Sequence, residues 1–334
     1  MLPNTILRIT LWVVCLFSLL TNLFVIASRV QSLIPVIGNM FSSAVSDKQN
    51  AFLINLAVAD FLTGLYLLAI GIADAIFGKA YFLSALGWRK GLICKGIGFV
   101  GFLANIASIL TLTFVSVERF FVIVFPFSKI RFRSKLTVTI CVTIWAISGA
   151  MAITPIVLSE FVEKVFGFSD ICLGLPFVYV TEISKYPSLN MEYNFNGVVL
   201  QTVYYNNDVQ GVQWLYSQIV YVYFSATCVL VITICYIAII ISTIATKRQS
   251  GRPGNNKNEL KLALRVAIIV GTDLLCWFPV ILIGLLSQIG TIVSTDTYAW
   301  FAVFVMPINS AFNPFIYTIP AMQSKKRNET SFAA

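Results

Sequence analysis

Residues 92–126 read LICKGIGFVGFLANIASILTLTFVSVERFFVIVFP. Cys94 stands near one end and Glu118-Arg119-Phe120 near the other, with no charge from Gly96 to Val117. Cys94 and Arg119 are 25 positions apart, roughly 37 Å along a helix. That is the hydrocarbon core of a bilayer plus part of both headgroup layers. One helix therefore carries a thiol on one side of a membrane and a charged pair on the other.

The rest of the chain agrees with this reading. Its 334 residues are 58% hydrophobic and only 11% charged, with mean hydropathy +0.86. A soluble domain carries about 25% charged residues. The net charge of +9 sits in short segments between apolar runs, as in membrane proteins oriented by their loops, so no nucleic-acid partner is expected. There is no His, which removes His-based catalysis and most transition-metal sites.

Seven apolar spans follow at 7–28, 51–77, 92–125, 136–158, 214–245, 261–286 and 298–319. The first exceeds the h-region of a cleaved signal peptide and lacks a clear small-residue cleavage site, so it reads as an uncleaved signal-anchor helix. The expected fold is an all-α membrane protein, a seven-transmembrane helix bundle. Residues 1–6 form a short outer N-terminus, 7–319 the bundle and 320–334 an inner tail. Lys and Arg fix the orientation. With the N-terminus outside, the inner segments and Arg119 hold sixteen of the twenty-three basic residues, as the positive-inside rule requires.

Five cysteines, Cys15, Cys141, Cys228, Cys235 and Cys276, fall inside spans, where Cys is ordinarily a small apolar residue. Cys94 and Cys172 fall in outer segments. The outside is oxidising, so these two are the expected disulfide pair, two free thiols being the alternative.

At this point the chain resembles the rhodopsin-type G-protein-coupled receptors over nearly its full length. The marks are Asn22, the run Asn55-Leu56-Ala57-Val58-Ala59-Asp60, Cys94, Glu118-Arg119-Phe120, Trp145, Cys276-Trp277-Phe278-Pro279 and Asn313-Pro314-Phe315-Ile316-Tyr317. Thr272-Asp273-Leu274-Leu275-Cys276-Trp277-Phe278-Pro279 and Met306-Pro307-Ile308-Asn309-Ser310-Ala311-Phe312-Asn313 resemble the leucine-rich-repeat-containing group, that of the relaxin and glycoprotein-hormone receptors. So do Leu65-Tyr66-Leu67-Leu68 followed by Asp74, and Trp88-Arg89 before Cys94. The resemblance implies a plasma-membrane, multi-pass receptor that passes a peptide or protein hormone signal to a heterotrimeric G protein by movement of the sixth helix, raising cyclic AMP. Membrane lipid and a receptor oligomer are further expected partners.

Two constellations carry that expectation. Asp60 is a carboxylate at mid-membrane depth, and such acids are costly and functional by default. Asn22, Ser108, Asn309, Ser310 and Asn313 share its depth. As in the family, this set is expected to hold a Na⁺ through Asp60 and Ser108, or else to be a water-filled network without an ion. No other cofactor is expected. The second constellation is the switch: Glu118 and Arg119 with Glu259 at the inner ends of the third and sixth spans, Asp273 bonded to Asn309 or Asn313, and Trp277, Pro279, Pro314, Tyr317 and Tyr236. A charge cluster of Glu118, Arg119 and Glu259 would hold the third and sixth helices together. A purely structural role is the alternative for each.

Other classes fare worse. An opsin needs a Lys in 298–319, and none is there. An amine receptor needs an Asp seven residues after Cys94, where Gly101 stands. No internal repeat suggests a transporter, and no nucleophile–base or metal constellation suggests an enzyme. A decoy or heteromer partner that binds without signalling remains the competing function. From Asn22 to Asp60 the chain runs about ten residues longer than the family pattern, either an insertion in 29–50 or a mispredicted exon edge. The tail lacks a Cys for lipidation, which leaves an eighth helix in doubt. The relatives carry a large outer domain, so this chain is a fragment, or has lost the domain and uses another ligand, or signals without one.

Overall fold

The computed structural model describes residues 2, 4–38, 44–125, 127, 134–161, 170–172, 193–195, 198–200, 212–250, 271–272, 274–286, 288 and 295–315. Those residues form helices α1 (Thr5–Gly38), α2 (Ala44–Phe77), α3 (Tyr81–Lys90), α4 (Leu92–Val124), α5 (Ser134–Phe161), α6 (Val212–Ser217) and α7 (Ser225–Ser250). Helices α8 (Leu274–Leu286), α9 (Thr295–Trp300) and α10 (Met306–Asn313) follow. Wider π-helical turns over Gln218–Phe224 and Phe301–Val305 join α6 to α7 and α9 to α10. Five helical segments are long and apolar enough to cross a membrane, and Leu274–Leu286 and Phe301–Asn313 are shorter apolar helices among the described residues.

Apolar side chains dictate both faces of the bundle. Ile9, Leu16, Leu20 and Leu23 of α1 and Leu230, Ile234, Ile237 and Ile241 of α7 point outward, which a bilayer tolerates because its tails are as apolar as Leu. Inside, three layers succeed one another between the disulfide and Arg119. Near the disulfide lie Leu7, Leu11, Tyr66, Ala299 and Val303. The middle holds Phe102, Ile106, Tyr221, Trp277 and Met306. Near Arg119 lie Leu56, Leu112, Ile232, Tyr236 and Ile239.

Helix α4 is the axle, packing against α2, α5 and α7, while α1 packs on α2 and α10. Glycines let α1 and α2 approach: a Cβ at Gly64 would sit 2.9 Å from Leu19, and one at Gly71 2.7 Å from Leu11. Small residues at a seam are how membrane helices gain close packing.

Helix α5 contains Pro155. Proline has no N–H, so the carbonyl four residues earlier, that of Met151, loses its usual donor. The Tyr216 hydroxyl of α6 donates to it instead, at 2.6 Å. Tyr216→Phe should therefore destabilise the chain by about 1 kcal/mol, read as a lower unfolding temperature in detergent. An unchanged temperature would show that the carbonyl finds water.

The boundaries differ from expectation at one place. The first two apolar spans end and begin at 28 and 51, whereas α1 runs to Gly38 and α2 starts at Ala44. The extra residues of 29–50, which include the apolar Leu33-Ile34-Pro35-Val36-Ile37, prolong both helices. The long segment 159–213 holds a two-stranded antiparallel hairpin, Tyr193–Phe195 with Val198–Leu200, pairing Phe195 with Val198. Asn196-Gly197 between the strands is the sequence signal that announces it.

Candidate functional site

Asp60 sits at the centre of α2 and is fully buried. Its Oδ1 accepts the Ser108 hydroxyl of α4 at 2.9 Å, and its Oδ2 accepts the Asn313 amide of α10 at 2.7 Å. The Ser310 hydroxyl also bonds the carboxylate. One carboxylate thus ties three helices together, with donors on both oxygens as burial demands. A small cavity lined by Asn22, Leu53, Leu56, Asp60, Asn313 and Pro314 lies beside it. Asn309 is buried one turn away on α10.

Asn22 shares that cavity with Asp60 without bonding its carboxylate. Its Nδ2 donates to the backbone carbonyls of Ser18 and Ser310, at 2.8 and 3.0 Å. It fastens α1 to α10, and Ser18 fastens α1 to the Asp60 carbonyl at 2.8 Å. Depth alone placed Asn22 beside the carboxylate; the rotation of α1 decides its partner.

A second network lies about one turn nearer Arg119. Trp145 Nε1 donates to Asn55 Oδ1 at 2.7 Å, and Asn55 Nδ2 donates to Thr111 Oγ1 at 2.7 Å. Thr111 went unnoticed in the sequence because a helical Thr ordinarily spends its hydroxyl on its own backbone. Thr111 does that too, donating to the Ala107 carbonyl at 2.6 Å, while its oxygen still accepts from Asn55.

Of the switch residues, Arg119 and Glu118 lie at the end of α4 with Nε and Oε2 3.6 Å apart, both partly exposed. Trp277 is buried in the middle layer with Phe102 and Ile106 of α4, and Pro279 lies within α8. Tyr236 is buried in the layer near Arg119. Pro314 follows α10. Glu259, Asp273 and Tyr317 lie outside the described residues, as does the tail 320–334.

At the other end, Cys94 and Cys172 form a disulfide with Cα atoms 5.1 Å apart, 78 residues apart in sequence. The segment before Cys172 is clamped from several sides. Asp170 accepts the Tyr81 hydroxyl at 2.8 Å and Arg89 Nε at 2.6 Å, and its carbonyl accepts Trp88 Nε1 at 3.0 Å. The Ile171 carbonyl accepts the Tyr66 hydroxyl at 2.8 Å. Burial, then the Asp170 charge, pushes the Tyr81 phenol up, so it stays a donor. Cys172 itself has φ 61°, a left-handed conformation that costs a non-glycine residue about 1–2 kcal/mol. Nearby, Asp74 accepts the Leu2 amide and Arg8 Nε, each at 2.8 Å. Tyr66, Asp170 and the Arg8–Asp74 pair had no role readable in sequence; aromatics and loop acids of this kind are too common to stand out.

This geometry, a helical bundle stitched by a buried carboxylate and capped by a disulfide-anchored loop, accompanies a match to the family model of the 7 transmembrane receptor (rhodopsin family) over residues 33–203 and 168–317. The chain belongs to that family. The receptor is 30% identical over 320 residues to "G-protein coupled receptor GRL101" of Lymnaea stagnalis, covering 96% of this chain and 25% of that one. It is 30% identical over 321 residues to "Relaxin receptor 2" of Homo sapiens, covering 96% of this chain and 37% of the other. A "Probable glycoprotein hormone G-protein coupled receptor" of Anthopleura elegantissima is 29% identical over 265 residues, covering 79% of this receptor and 24% of its own length. The receptor thus spans well under half the length of these relatives. That family is one of membrane receptors rather than enzymes, and the sequence resemblance drawn from Asp60, Trp277-Phe278-Pro279 and Asn313-Pro314 points to the same family.

Proposed function

We propose that the receptor passes an extracellular peptide or protein hormone signal to a heterotrimeric G protein, raising cyclic AMP, at the plasma membrane. Seven crossings place the N-terminus and disulfide outside and Arg119 inside, with residues 7–319 as the transmembrane unit. The observation that carries the reading is the Asp60–Ser108–Asn313 network, which joins α2, α4 and α10 through one buried carboxylate. Buried ionic groups are poor stabilisers and serve best where a two-state element needs a bias. Helix α8, with Pro279 as hinge, is that element. The lock in this reading is the charge set of Glu118 and Arg119 with Glu259, and Asp273 is a second tie, read from the sequence of the sixth span. Opening there admits a G-protein element.

The donor set around Asp60 fits a Na⁺. A carboxylate with the Ser108 and Ser310 hydroxyls offers hard oxygens, and Na⁺ binds oxygen ligands. Bound there, the ion would neutralise the carboxylate and favour the resting packing.

The test is basal cyclic AMP in cells expressing the chain, with Arg119→Ala and Glu259→Ala at matched surface levels. Arg119→Ala should bring the signal to that of empty cells, and Glu259→Ala should raise it severalfold. If all three versions reach the surface yet match empty cells, the non-signalling decoy reading is favoured and cyclic AMP coupling is rejected.

A further inference from the structure

We propose that Tyr66 is a positioning residue that transmits the placement of the Asp170–Cys172 segment to the α2–α4 seam above Asp60, coupling the outer loop to the signalling network. The inference rests on the receptor reading for its direction, outside to inside, and on the geometry for its parts.

Tyr66 is fully enclosed, and its ring lies flat against Gly101 of α4. A Cβ at Gly101 would fall 2.6–3.0 Å from three ring carbons, closer than real side chains approach. Glycine is therefore what allows the ring between the two helices. The hydroxyl at the far end of that ring donates to the Ile171 carbonyl, one residue before the disulfide. The ring is thus a strut with one end on the loop and its flank on α4.

The strut sits on the same two helices as the buried carboxylate. Tyr66 is six residues from Asp60 on α2, and Gly101 is seven from Ser108 on α4. Both separations are about 10 Å of helix. The seam between α2 and α4 is fastened by Asp60–Ser108 at one level and spaced by Tyr66–Gly101 two turns above it. A change in ring position alters the spacing at the upper level, and the packed seam carries it down.

The loop end of the strut is built to hold a position. Side chains from α3 converge on Asp170, namely Tyr81, Trp88 and Arg89, while Cys172 is bonded to Cys94 and held in a left-handed backbone conformation. Such a conformation persists only where its surroundings over-determine it, and it clusters at ligand clamps and switch regions. A partner that draws Asp170 from Arg89 would release the segment and the Tyr66 hydroxyl with it. Release of that contact would let the ring take a second position, the two-state element that a coupling claim requires.

The experiment uses the full chain in lipid nanodiscs with an environment-sensitive fluorophore on Lys261→Cys, leading into the sixth span. Tyr66→Phe removes one hydroxyl and leaves the ring; Asp170→Asn loosens the loop clamp. Amide exchange of a peptide containing residues 170–172 should quicken about fivefold in Tyr66→Phe, the effect of one lost hydrogen bond. The fluorophore signal should shift in both variants, in folded protein below its unfolding temperature. A purely structural role would lower the unfolding temperature and leave the fluorophore unmoved. Gly101→Ala, which displaces the ring itself, should shift the fluorophore further; should it not fold, the other two variants decide. An unmoved fluorophore in Tyr66→Phe and Asp170→Asn, with Asp60→Asn shifting it in the same preparation, overturns the inference and leaves the receptor reading standing. A fluorophore that responds in every variant while purified G protein shows no nucleotide exchange leaves the coupling intact and counts against the receptor reading.

Discussion

Asp60→Leu should lower the stability of the folded chain by roughly 2–5 kcal/mol. Both carboxylate oxygens are acceptors, for Ser108 and Asn313, and a leucine, bulkier and without acceptors, leaves those buried donors unpaired. Ser108 can turn to the carbonyl one turn back along α4. Asn313 has no such recourse, because its amide reaches across from α10 to α2. Asp60→Asn should cost far less, below about 1 kcal/mol. Its amide oxygen can accept from Asn313, and its NH₂ can donate to the Ser108 oxygen. The order Leu well below Asn, read by thermal unfolding at equal ionic strength, tests whether hydrogen-bond satisfaction governs the site. The same measurement in sodium against choline chloride tests the ion. The native chain should gain in sodium, and both variants should not. A native chain indifferent to the cation would reduce the site to a polar network alone.

Gly284→Ala should be the most damaging single-methyl change in α8. A Cβ there would lie 2.0 Å from Val222 Cγ2. Val222 is buried and branched at Cβ, so its rotamer cannot swing away. Something larger must move, at a cost of about 1–3 kcal/mol, and the cheapest movement separates α8 from the π-helical turn over Gln218–Phe224. The Gln288 amide, which donates to Gln218 Oε1 at 3.1 Å and to the Tyr223 hydroxyl at 3.0 Å, would stretch in the same motion. Val222→Ala on the Gly284→Ala background should restore most of the loss, since it removes the colliding methyl groups. Unfolding temperatures of the two single variants and the double variant settle this; a double variant no better than Gly284→Ala would show that the strain lies elsewhere.

The sequence was legible where membrane physics leaves few choices. A carboxylate in hydrocarbon must find donors, so Asp60 and its company of Ser108, Ser310 and Asn313 could be read from depth alone. Cys94 and Cys172 could be read from their compartment, and the disulfide is present. Rotation about a helix axis was not legible. Asn22 lines the cavity beside Asp60 as its depth suggested, but that its amide bonds the Ser18 and Ser310 carbonyls is fixed only by packing. Nor were contacts in which a common residue does two things, as Thr111 does with Ala107 and Asn55. Hydropathy ended the first span at the edge of the apolar run and so missed the continuation of α1 to Gly38. Tyr66 stood in a quoted motif, yet its value depends on Gly101, thirty-five residues on, having no side chain.

The proline inside α5 has a consequence for how this chain can change. Pro155 creates an orphan acceptor on Met151, and Tyr216 supplies the donor. Each residue is useful only because of the other. Replacing the proline by alanine returns the missing N–H to α5, and the tyrosine hydroxyl then has nothing left to serve. The two substitutions should be strongly non-additive, the second nearly free once the first is made. In a lineage that has lost the proline, phenylalanine at 216 is expected to drift in without penalty, whereas in this one the two positions are bound to travel together.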